Sequence, residues 1–232
     1  MSRPLITFDL DNTLWPVDEV IRHADAAMHD WLSQALPSWQ DEGRPLLATH
    51  RAAVFAERTD LHHDLSALRR EILRRTLRAQ GLAEARVDDL AEGALATFLI
   101  ARQQVTPYDC AEAMLAELAQ EHRLIALSNG NADILRMPLG RHFSDSISSA
   151  RAGFAKPHPR MFELALTGSG HDRAIHVGDH PEQDVGAAQA LGWAGIWVNH
   201  GGETWPEAMP AADAEARHLA ELPALVRALR QR

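Results

Sequence analysis

The chain of 232 residues has little cysteine and a deficit of positive charge. Its one cysteine, Cys110, excludes an intramolecular disulfide and any Cys-rich zinc or iron–sulfur site. A reducing compartment fits this composition, so we expect a cytoplasmic location. Lys and Arg number 23 against 32 Asp and Glu, which gives a formal net charge of −9. A surface of this sign repels the phosphates of nucleic acids and of anionic membranes, so we expect neither as a partner.

Long hydrophobic runs are also missing. No uninterrupted apolar stretch approaches the ~20 residues that span a bilayer, and the first apolar run, residues 5–8, is too short for the core of a signal peptide. The hydrophobic fraction of 46% is ordinary for a globular protein. The length allows one large domain or two modest ones. Nothing in the pattern decides between a monomer and a homodimer.

Four short apolar runs have the character of buried strands that end in polar turns. They are residues 5–8, 123–127, 174–177 and 195–198. Segments with helical spacing of apolar residues separate them, and alternating strands and helices are typical of βαβ units with a parallel sheet. We therefore predict an α/β fold with a Rossmann-like, doubly wound parallel sheet.

Residues 18–104 differ from the rest because they hold few strand-like and several helix-length segments. Within them we predict a helix that begins at Asp60 and ends at Gly81, with an apolar stripe of leucines and one isoleucine. The stretch predicts an α-helical bundle inserted into the sheet domain. The predicted domains are residues 1–15 with 108–232, and residues 16–107.

Carboxylates follow two of the predicted strands. Asp9 and Asp11 come directly after the first and lie two positions apart, so in an extended segment their side chains share a face. Two carboxylates that close repel each other unless a cation intervenes, and ligation by oxygen alone favours Mg²⁺. Asp179 and Asp184 follow the third predicted strand and add carboxylates. Taken alone, each pair is also typical of a turn with a helix cap.

Two segments between those acidic strand ends carry candidate phosphate ligands. Ser128 and Asn129 follow the second predicted strand, and Lys156 lies in the loop before residues 159–167. Each segment alone is more typical of an ordinary turn or a solvated loop. Their joint order favours one shared site, because ligands of open α/β sheets bind beyond the carboxyl ends of the strands.

In these four motifs the sequence resembles the phosphatases of the haloacid dehalogenase superfamily. The first motif, residues 9–14 (Asp-Leu-Asp-Asn-Thr-Leu), matches completely, and the resemblance covers roughly residues 3–15 and 108–200. It implies that Asp9 is the nucleophile and a Mg²⁺ ligand. It also implies that Asp11 is the general acid and base and binds Mg²⁺ through its backbone carbonyl.

The resemblance implies roles for the other motifs as well. Ser128 and Asn129 would hold the transferring phosphoryl group, and Lys156 would neutralise its charge. Asp179 would be a direct Mg²⁺ ligand and Asp184 a supporting one. Physically, the reaction needs charge stabilisation around the phosphoryl group, which backbone N–H groups near Asn12 and Ser128 would add to that of Lys156.

The inserted helices lie where one subclass of the superfamily carries a four-helix cap domain, which favours a small phosphate ester as substrate. At finer grain, residues 127–132, 155–162 and 176–179 resemble a bacterial branch that hydrolyses flavin mononucleotide and 5-amino-6-(5-phospho-ribitylamino)uracil, a riboflavin precursor.

Two other functions stay open. A 2-haloacid dehalogenase attacks carbon, needs no metal and lacks the second aspartate that Asp11 supplies here. The other is a non-catalytic protein of similar fold. As a phosphoacceptor it would leave the helical insertion without a purpose, and as a binding protein it would leave the intact Asp9, Asp11, Lys156 and Asp179 without one.

Overall fold

The computed structural model describes residues 3–167 and 169–230. The chain divides into two compact units. One comprises Met1–Val17 and Val105–Arg232, and the other comprises Asp18–Gln104.

The first unit is built on a six-stranded sheet in which all neighbouring strands are parallel. The strands are β1 (Leu5–Phe8), β2 (Leu124–Ser128), β3 (Asp145–Ser148), β4 (Ala174–Gly178), β5 (Ala194–Val198) and β6 (Ala214–Ala216). Their order across the sheet is β3-β2-β1-β4-β5-β6. The chain thus proceeds outward in one direction from β1 and in the other from β4, so the order reverses between these two strands. Such a switch point is where open α/β sheets bind their ligands.

Both faces of the sheet are covered. All four residues of β1 are fully buried, although alternate side chains of a strand point to opposite faces. The helices of this unit are α5 (Ala111–Ala119), α6 (Ser149–Ala152), α7 (Arg160–Leu166), α8 (Ala187–Ala190) and α9 (Leu222–Arg230). On one face, Leu5, Ile125 and Ile147 form a core with Phe162 of α7 and Ala188 of α8. The predicted α/β fold with a doubly wound parallel sheet is confirmed.

The second unit contains helices alone among its regular elements. Its α-helices are α1 (Val17–Ala35), α2 (Gly43–Glu57), α3 (Leu65–Ala79) and α4 (Glu84–Arg102). The first residue of α1, Val17, is the last residue of the first segment of the sheet unit. The buried residues of α1 recur every four positions at Val20, Ala24, Met28 and Leu32, which is one stripe of a helix. Of these, Ala24, Met28 and Leu32 join a core shared by all four helices. The function of this unit as a cap domain, and the predicted domain boundaries, stay predictions.

The predicted helix start at Asp60 is wrong. Residues Thr59–Leu61 form a single 3₁₀ turn, and α3 begins at Leu65. The carboxylate of Asp64 accepts hydrogen bonds from the N–H groups of Ser66 and Ala67, at 3.1 and 2.9 Å. Asp64 is therefore the helix cap, since its side chain satisfies backbone donors that the first turn leaves free.

Strands β3 and β6 are missing from the sequence-based prediction. Asp145–Ser148 has one buried residue and Ala214–Ala216 has three residues in all. Both lie at the edges of the sheet, where a strand pairs on one side only. Neither has the apolar run by which a buried strand is recognised in a sequence.

A π-helical segment, Pro181–Gly186, packs closely against the ends of two strands. A Cβ atom on Gly178 of β4 would lie 2.3 Å from Cγ of Asp184, and one on Gly195 of β5 would lie 2.7 Å from a methyl carbon of Val185. Glycine is required at both positions because no side chain fits. The carboxyl group of Asp184 is thereby pressed against the end of β4.

The residues described, 3–167 and 169–230, include no helix long and apolar enough to cross a membrane.

We expect the substitution Gly178→Ala to destabilise the protein by about 1–3 kcal/mol, since the added methyl group overlaps the carboxyl group of Asp184. Urea unfolding measures this loss. Gly201→Ala is the matched control, because a Cβ there meets nothing nearer than Cγ of Glu203 at 3.6 Å, an ordinary contact. Equal stability of the two variants would contradict the close packing described.

Candidate active site

Acidic side chains from the two strands at the switch point meet beyond their carboxyl ends. Asp9 follows β1 and Asp179 follows β4, and the strands pair in register from Leu5 with Ala174 to Phe8 with Val177. The N–H of Asp9 also donates to the carbonyl of Val177 at 2.8 Å. Carboxylate oxygens of Asp9, Asp179 and Asp184 all lie within 4.8 Å of one another. Register at the centre of the sheet therefore determines how close these groups come.

Lys156 joins two of these carboxylates. Its Nζ lies 2.7 Å from Oδ1 of Asp9 and 2.6 Å from Oδ1 of Asp184, and it donates a third hydrogen bond to the carbonyl of Leu127 at 2.9 Å. Lys156 is only 4% exposed. An ammonium has three N–H donors, so all of them are engaged within the protein. The group therefore acts on a bound anion chiefly through its charge.

Asp184 is engaged on both of its oxygens. Oδ1 contacts Nζ of Lys156 and lies 3.1 Å from Nε2 of His176, and Oδ2 accepts the N–H of His180 at 3.0 Å. The side chain of His180 in turn accepts the N–H groups of Glu182 and Gln183, which starts the π-helical segment. Asp184 is thus held by protein groups and in turn holds Lys156.

Thr13 links the two acidic strand ends and was missed in the sequence. Its hydroxyl lies 3.1 Å from Oδ2 of Asp9 and 3.3 Å from Oδ1 of Asp179. Because a hydroxyl has one proton, it serves one of these carboxylates at a time. The residue was visible within the first motif, but no spacing rule distinguishes this contact from ordinary capping.

Asp11 lines the same cleft as Asp9. The indole N–H of Trp15 donates to Oδ1 of Asp11 at 2.9 Å, and Trp15 is fully buried. Asn12, between them in the chain, has a left-handed φ of 59°, and its N–H donates to the carbonyl of Trp15 at 2.7 Å. The N–H of Asn12 itself already has a partner, so the expectation that N–H groups near Asn12 serve a phosphoryl group stays a prediction that concerns its neighbours.

Ser128 and Asn129 line the cleft from the end of β2. The side chain of Asn129 is occupied: its Nδ2 donates to the carbonyl of Lys156 at 3.0 Å and to Oε1 of Gln183 at 2.9 Å, and its Oδ1 accepts the N–H of Lys156 at 2.7 Å. It therefore fixes the loop that carries Lys156. That Asn129 binds a phosphoryl group stays a prediction. Because its side chain is occupied, the backbone of Asn129 would have to make this contact.

The electrostatics show an excess of negative charge. Burial, together with the carboxylates of Asp184 and Asp179, raises the pKa of Asp9 to about 8, although Lys156 opposes this. Burial and Asp184 likewise raise the pKa of Asp179 to about 6. Burial alone would raise the pKa of Asp184, but Lys156 and His176 hold it below its ordinary value. One ammonium is thus insufficient for three carboxylates, and a proton or another cation must balance the charge.

The residues present fit a hard divalent cation. The group of Asp9, Asp179 and Asp184 offers only oxygen atoms, which is what Mg²⁺ and Ca²⁺ prefer. The oxygens of Asp184 already have three protein hydrogen-bond partners, whereas those of Asp9 have two. Asp9 and Asp179 are therefore the better candidates. The raised pKa values of Asp9 and Asp179 also indicate where additional positive charge is accommodated.

Comparisons with known proteins agree with this geometry. The family model of haloacid dehalogenase-like hydrolases matches residues 4–192. The crystal structure of a 2-haloacid dehalogenase from Pseudomonas syringae pv. Tomato DC3000 superposes with a TM-score of 0.92 at 35% identity, covering 99% of this chain and 100% of that one.

Two curated relatives are phosphatases by name. A phosphoserine phosphatase of Thermus thermophilus is 36% identical over 141 residues, which is 57% of this chain and 55% of that protein, so the match spans little more than half of it. The 5-amino-6-(5-phospho-D-ribitylamino)uracil phosphatase YigB of Escherichia coli (strain K12) is 28% identical over 198 residues, 83% of this chain and 82% of that protein.

The family match extends over most of the sheet unit and all of the helical one, and a structural relative of full length shares the fold at 35% identity. The resemblance predicted from the four motifs is therefore confirmed, and the chain belongs to the haloacid dehalogenase-like hydrolases.

Proposed function

We propose that the protein is a Mg²⁺-dependent phosphomonoester hydrolase that acts on a small phosphorylated metabolite through a phospho-aspartate at Asp9. The observation that carries this proposal is the position of the buried Asp9 carboxylate, 2.7 Å from the ammonium of Lys156 in a cleft that also holds Asp11 and Asp179. A nucleophile, a fixed positive charge and a second carboxyl group are thereby available to one phosphate ester. The phosphatase names of the curated relatives support the same reaction.

Asp9 and Asp179 would hold the cation, with the backbone carbonyl of Asp11 as a further ligand. When bound, Mg²⁺ would supply positive charge that lets an anionic phosphate approach an anionic nucleophile. Asp184 is assigned a supporting role, because it holds Lys156 and because its oxygens accept three hydrogen bonds from the protein, one more than those of Asp9.

In the first step, a carboxylate oxygen of Asp9 attacks phosphorus and the bond from phosphorus to the ester oxygen breaks. The leaving alkoxide takes a proton from the carboxyl group of Asp11, which becomes a carboxylate. To donate this proton, the carboxyl group of Asp11 must be held in one orientation. The hydrogen bond from the indole N–H of Trp15, at 2.9 Å, holds it.

In the second step, the carboxylate of Asp11 takes a proton from water as the water oxygen attacks phosphorus. The bond from phosphorus to Asp9 breaks, phosphate leaves and Asp9 is restored. Asp11 ends protonated, as it began, so one residue serves both steps. Throughout, the buried charge of Lys156 and the hydroxyl and N–H groups near Ser128 stabilise the oxygens of the phosphoryl group.

A 2-haloacid dehalogenase is the second candidate, because the Pseudomonas syringae protein with that name covers 99% of this chain at 35% identity. Attack on carbon expels a halide ion, which leaves without a proton. That reaction uses neither a general acid at Asp11 nor a cluster of carboxylates that requires a cation. Asp11 and the raised pKa values of Asp9 and Asp179 therefore favour the phosphatase.

The substrate is proposed from the relatives and from the motifs. Flavin mononucleotide and 5-amino-6-(5-phospho-D-ribitylamino)uracil are candidates because of the core motifs and the likeness to YigB. Phosphoserine is a third, from the Thermus thermophilus relative. The helical unit would act as the cap that selects among such esters and excludes water from the reaction. A cytoplasmic location stays a prediction.

We expect the purified protein to release inorganic phosphate from at least one of these three esters with Mg²⁺, and to lose this activity with EDTA. Asp9→Asn should reduce turnover by at least about a thousandfold while the protein stays folded, because an amide is no nucleophile. Phosphate assays and circular dichroism measure both.

Chloride release from 2-chloropropionate, assayed on the same preparations, separates the two candidate reactions. Halide release without phosphate release, or phosphate release that EDTA leaves unchanged, would refute the phosphatase proposal.

Asp11→Asn should slow both formation and hydrolysis of the phospho-aspartate by about 10²–10⁴-fold, since one proton carrier is removed from both steps. Rapid-quench single turnovers with a ³²P-labelled ester measure the two rates. Trp15→Phe is the companion variant, because it retains Asp11 and removes the indole N–H that orients it, so we expect a smaller loss in the same two rates. An Asp11→Asn protein with unchanged hydrolysis would show that another group activates water.

Binding of Mg²⁺ should release protons. At pH 7, below the pKa of about 8 for Asp9 and above that of about 6 for Asp179, most Asp9 carboxyl groups carry a proton and Asp179 does not. A cation must displace that proton, so we expect about one proton released per Mg²⁺ at pH 7 and close to none at pH 9.

Calorimetric titration in buffers of different ionisation enthalpy counts these protons. The affinity for Mg²⁺ should rise about tenfold per pH unit below 8, and Asp179→Asn should abolish tight binding. An affinity that is independent of pH between 6 and 8 would contradict the raised pKa of Asp9.

A further inference from the structure

Beneath the acidic cluster, two polar side chains are fully buried in the centre of the sheet. Thr7 of β1 and His176 of β4 are paired in register, and both have 0% exposure. The proposed reaction uses neither. A buried polar pair is costly unless every hydrogen-bonding group has a partner, so its contacts are informative.

The hydrogen bonds of this pair determine which ring nitrogen of His176 carries the proton. Oγ1 of Thr7 lies 2.8 Å from Nδ1 of His176, while its other acceptor, the carbonyl of Ile175, is at 3.4 Å. On the far side of the ring, Nε2 lies 3.1 Å from Oδ1 of Asp184. A carboxylate oxygen only accepts, so Nε2 must carry a proton. Burial lowers the pKa of His176, so the ring is neutral and Nδ1 accepts from the hydroxyl of Thr7.

The contacts form one continuous chain from the sheet core to the nucleophile. Thr7 donates to His176, and His176 donates to Oδ1 of Asp184. That same oxygen accepts a hydrogen bond from Lys156 at 2.6 Å, and Lys156 lies 2.7 Å from Asp9. The oxygen that orients the ammonium is therefore the oxygen that the histidine orients.

The ring itself has little freedom to turn. Phe162 meets it edge-on with the ring centroids 5.0 Å apart, and Gly178 lies against the carboxyl group of Asp184. The carboxylate of Asp184 selects the Nε2–H tautomer, which leaves Nδ1 as a buried acceptor, and the hydroxyl of Thr7 satisfies it. Without that hydroxyl, Nδ1 would be buried without a partner, which weakens the hold of the ring on Asp184.

We propose that Thr7 and His176 are positioning residues, which hold the Nε2–H tautomer of the imidazole against Asp184 and so fix Lys156 beside the nucleophilic Asp9. This rests on the proposed function for its effect on turnover. The effect on Lys156 itself is independent of that function.

The substitution Thr7→Val tests the proposal with little change in shape, because valine is isosteric with threonine and suits a strand. We expect kcat for phosphate release to fall about tenfold with KM within twofold of the wild type. Thr7→Ser keeps the hydroxyl and should restore most of kcat. His176→Phe keeps a ring and removes the Nε2–H, and the double variant should be no slower than His176→Phe alone, since both act through one chain of contacts.

Thr76→Val is the matched control. Thr76 has 0% exposure, and its Oγ1 also contacts a histidine ring, at 3.1 Å from Nδ1 of His50, but it belongs to the helical unit. It should lose stability on urea unfolding to an extent similar to Thr7→Val, while kcat stays within twofold of the wild type. An equal loss of kcat in both would mean that destabilisation alone explains Thr7→Val, and the proposal would be wrong.

A measurement that does not need turnover uses the composition of the chain, in which Lys156 is the one lysine. Labelling with ¹⁵N-lysine therefore places a single ammonium signal in the NMR spectrum. In the wild type and Thr7→Ser we expect a sharp signal, because three hydrogen bonds and burial slow proton exchange; in Thr7→Val and His176→Phe it should broaden or shift. ¹⁵N-histidine spectra should show the Nε2–H tautomer of His176 in the wild type.

These two kinds of measurement separate the two proposals. A wild type that releases no phosphate refutes the proposed function, and the NMR spectra then decide the role of Thr7 and His176. An Nδ1–H tautomer in the wild type, an ammonium signal that Thr7→Val leaves unchanged, or an unchanged kcat in an active enzyme would each overturn the positioning role.

Discussion

The buried ammonium of Lys156, between the carboxylates of Asp9 and Asp184, is the interaction on which the rest of the site depends. Removing one buried charge of such a group leaves the others unpaired in a low-dielectric interior, which is strongly unfavourable. The surrounding structure is accordingly arranged to hold it: Asn129 grips the backbone of the Lys156 loop, and Leu127 accepts the third N–H. Yet three carboxylates exceed one ammonium. The groups of the site are well packed and hydrogen-bonded, but their negative charge exceeds their positive charge. The site is therefore suited to a cation and, with it, an anionic ligand.

The sheet supplies the geometry because its strand order reverses between β1 and β4. At that point no crossover connection covers the carboxyl ends of the strands, so side chains that follow them share one cleft. Short parallel strands place Asp9 and Asp179 side by side, and the π-helical segment after β4 returns Asp184 to the same point. Gly178 makes that return possible, since any side chain there would displace the carboxyl group. The position of the Asp184 carboxyl group therefore depends on the close packing of the backbone at Gly178.

Sequence reasoning identified the charged groups of this site, and Ser128 and Asn129 beside them, but not Thr13 and His176. Asp9, Lys156 and Asp184 stand out through the order of the four motifs along the chain, because each alone is typical of a turn, a helix cap or a solvated loop. Thr13 and His176 do not stand out, since threonine suits strands and caps everywhere and a lone histidine is usually a surface residue. The occupied side chain of Asn129 was also unpredictable, because a partner 27 positions away in the chain has no periodic signal. The start of helix α3 was predicted too early for a related reason, because Asp60 and Asp64 could each have been its cap.

By itself the sequence determined the class of fold and the family, because apolar periodicity and the order of four motifs survive without coordinates. It also determined which groups carry charge. Only the tertiary structure decided what those charges contact. Lys156 donates all its hydrogen bonds within the protein, both oxygens of Asp184 accept hydrogen bonds, and His176 contacts Asp184 through Nε2. The physical reason is that hydrogen bonds depend on distances of a few tenths of an ångström between residues far apart in the chain, and only packing fixes these.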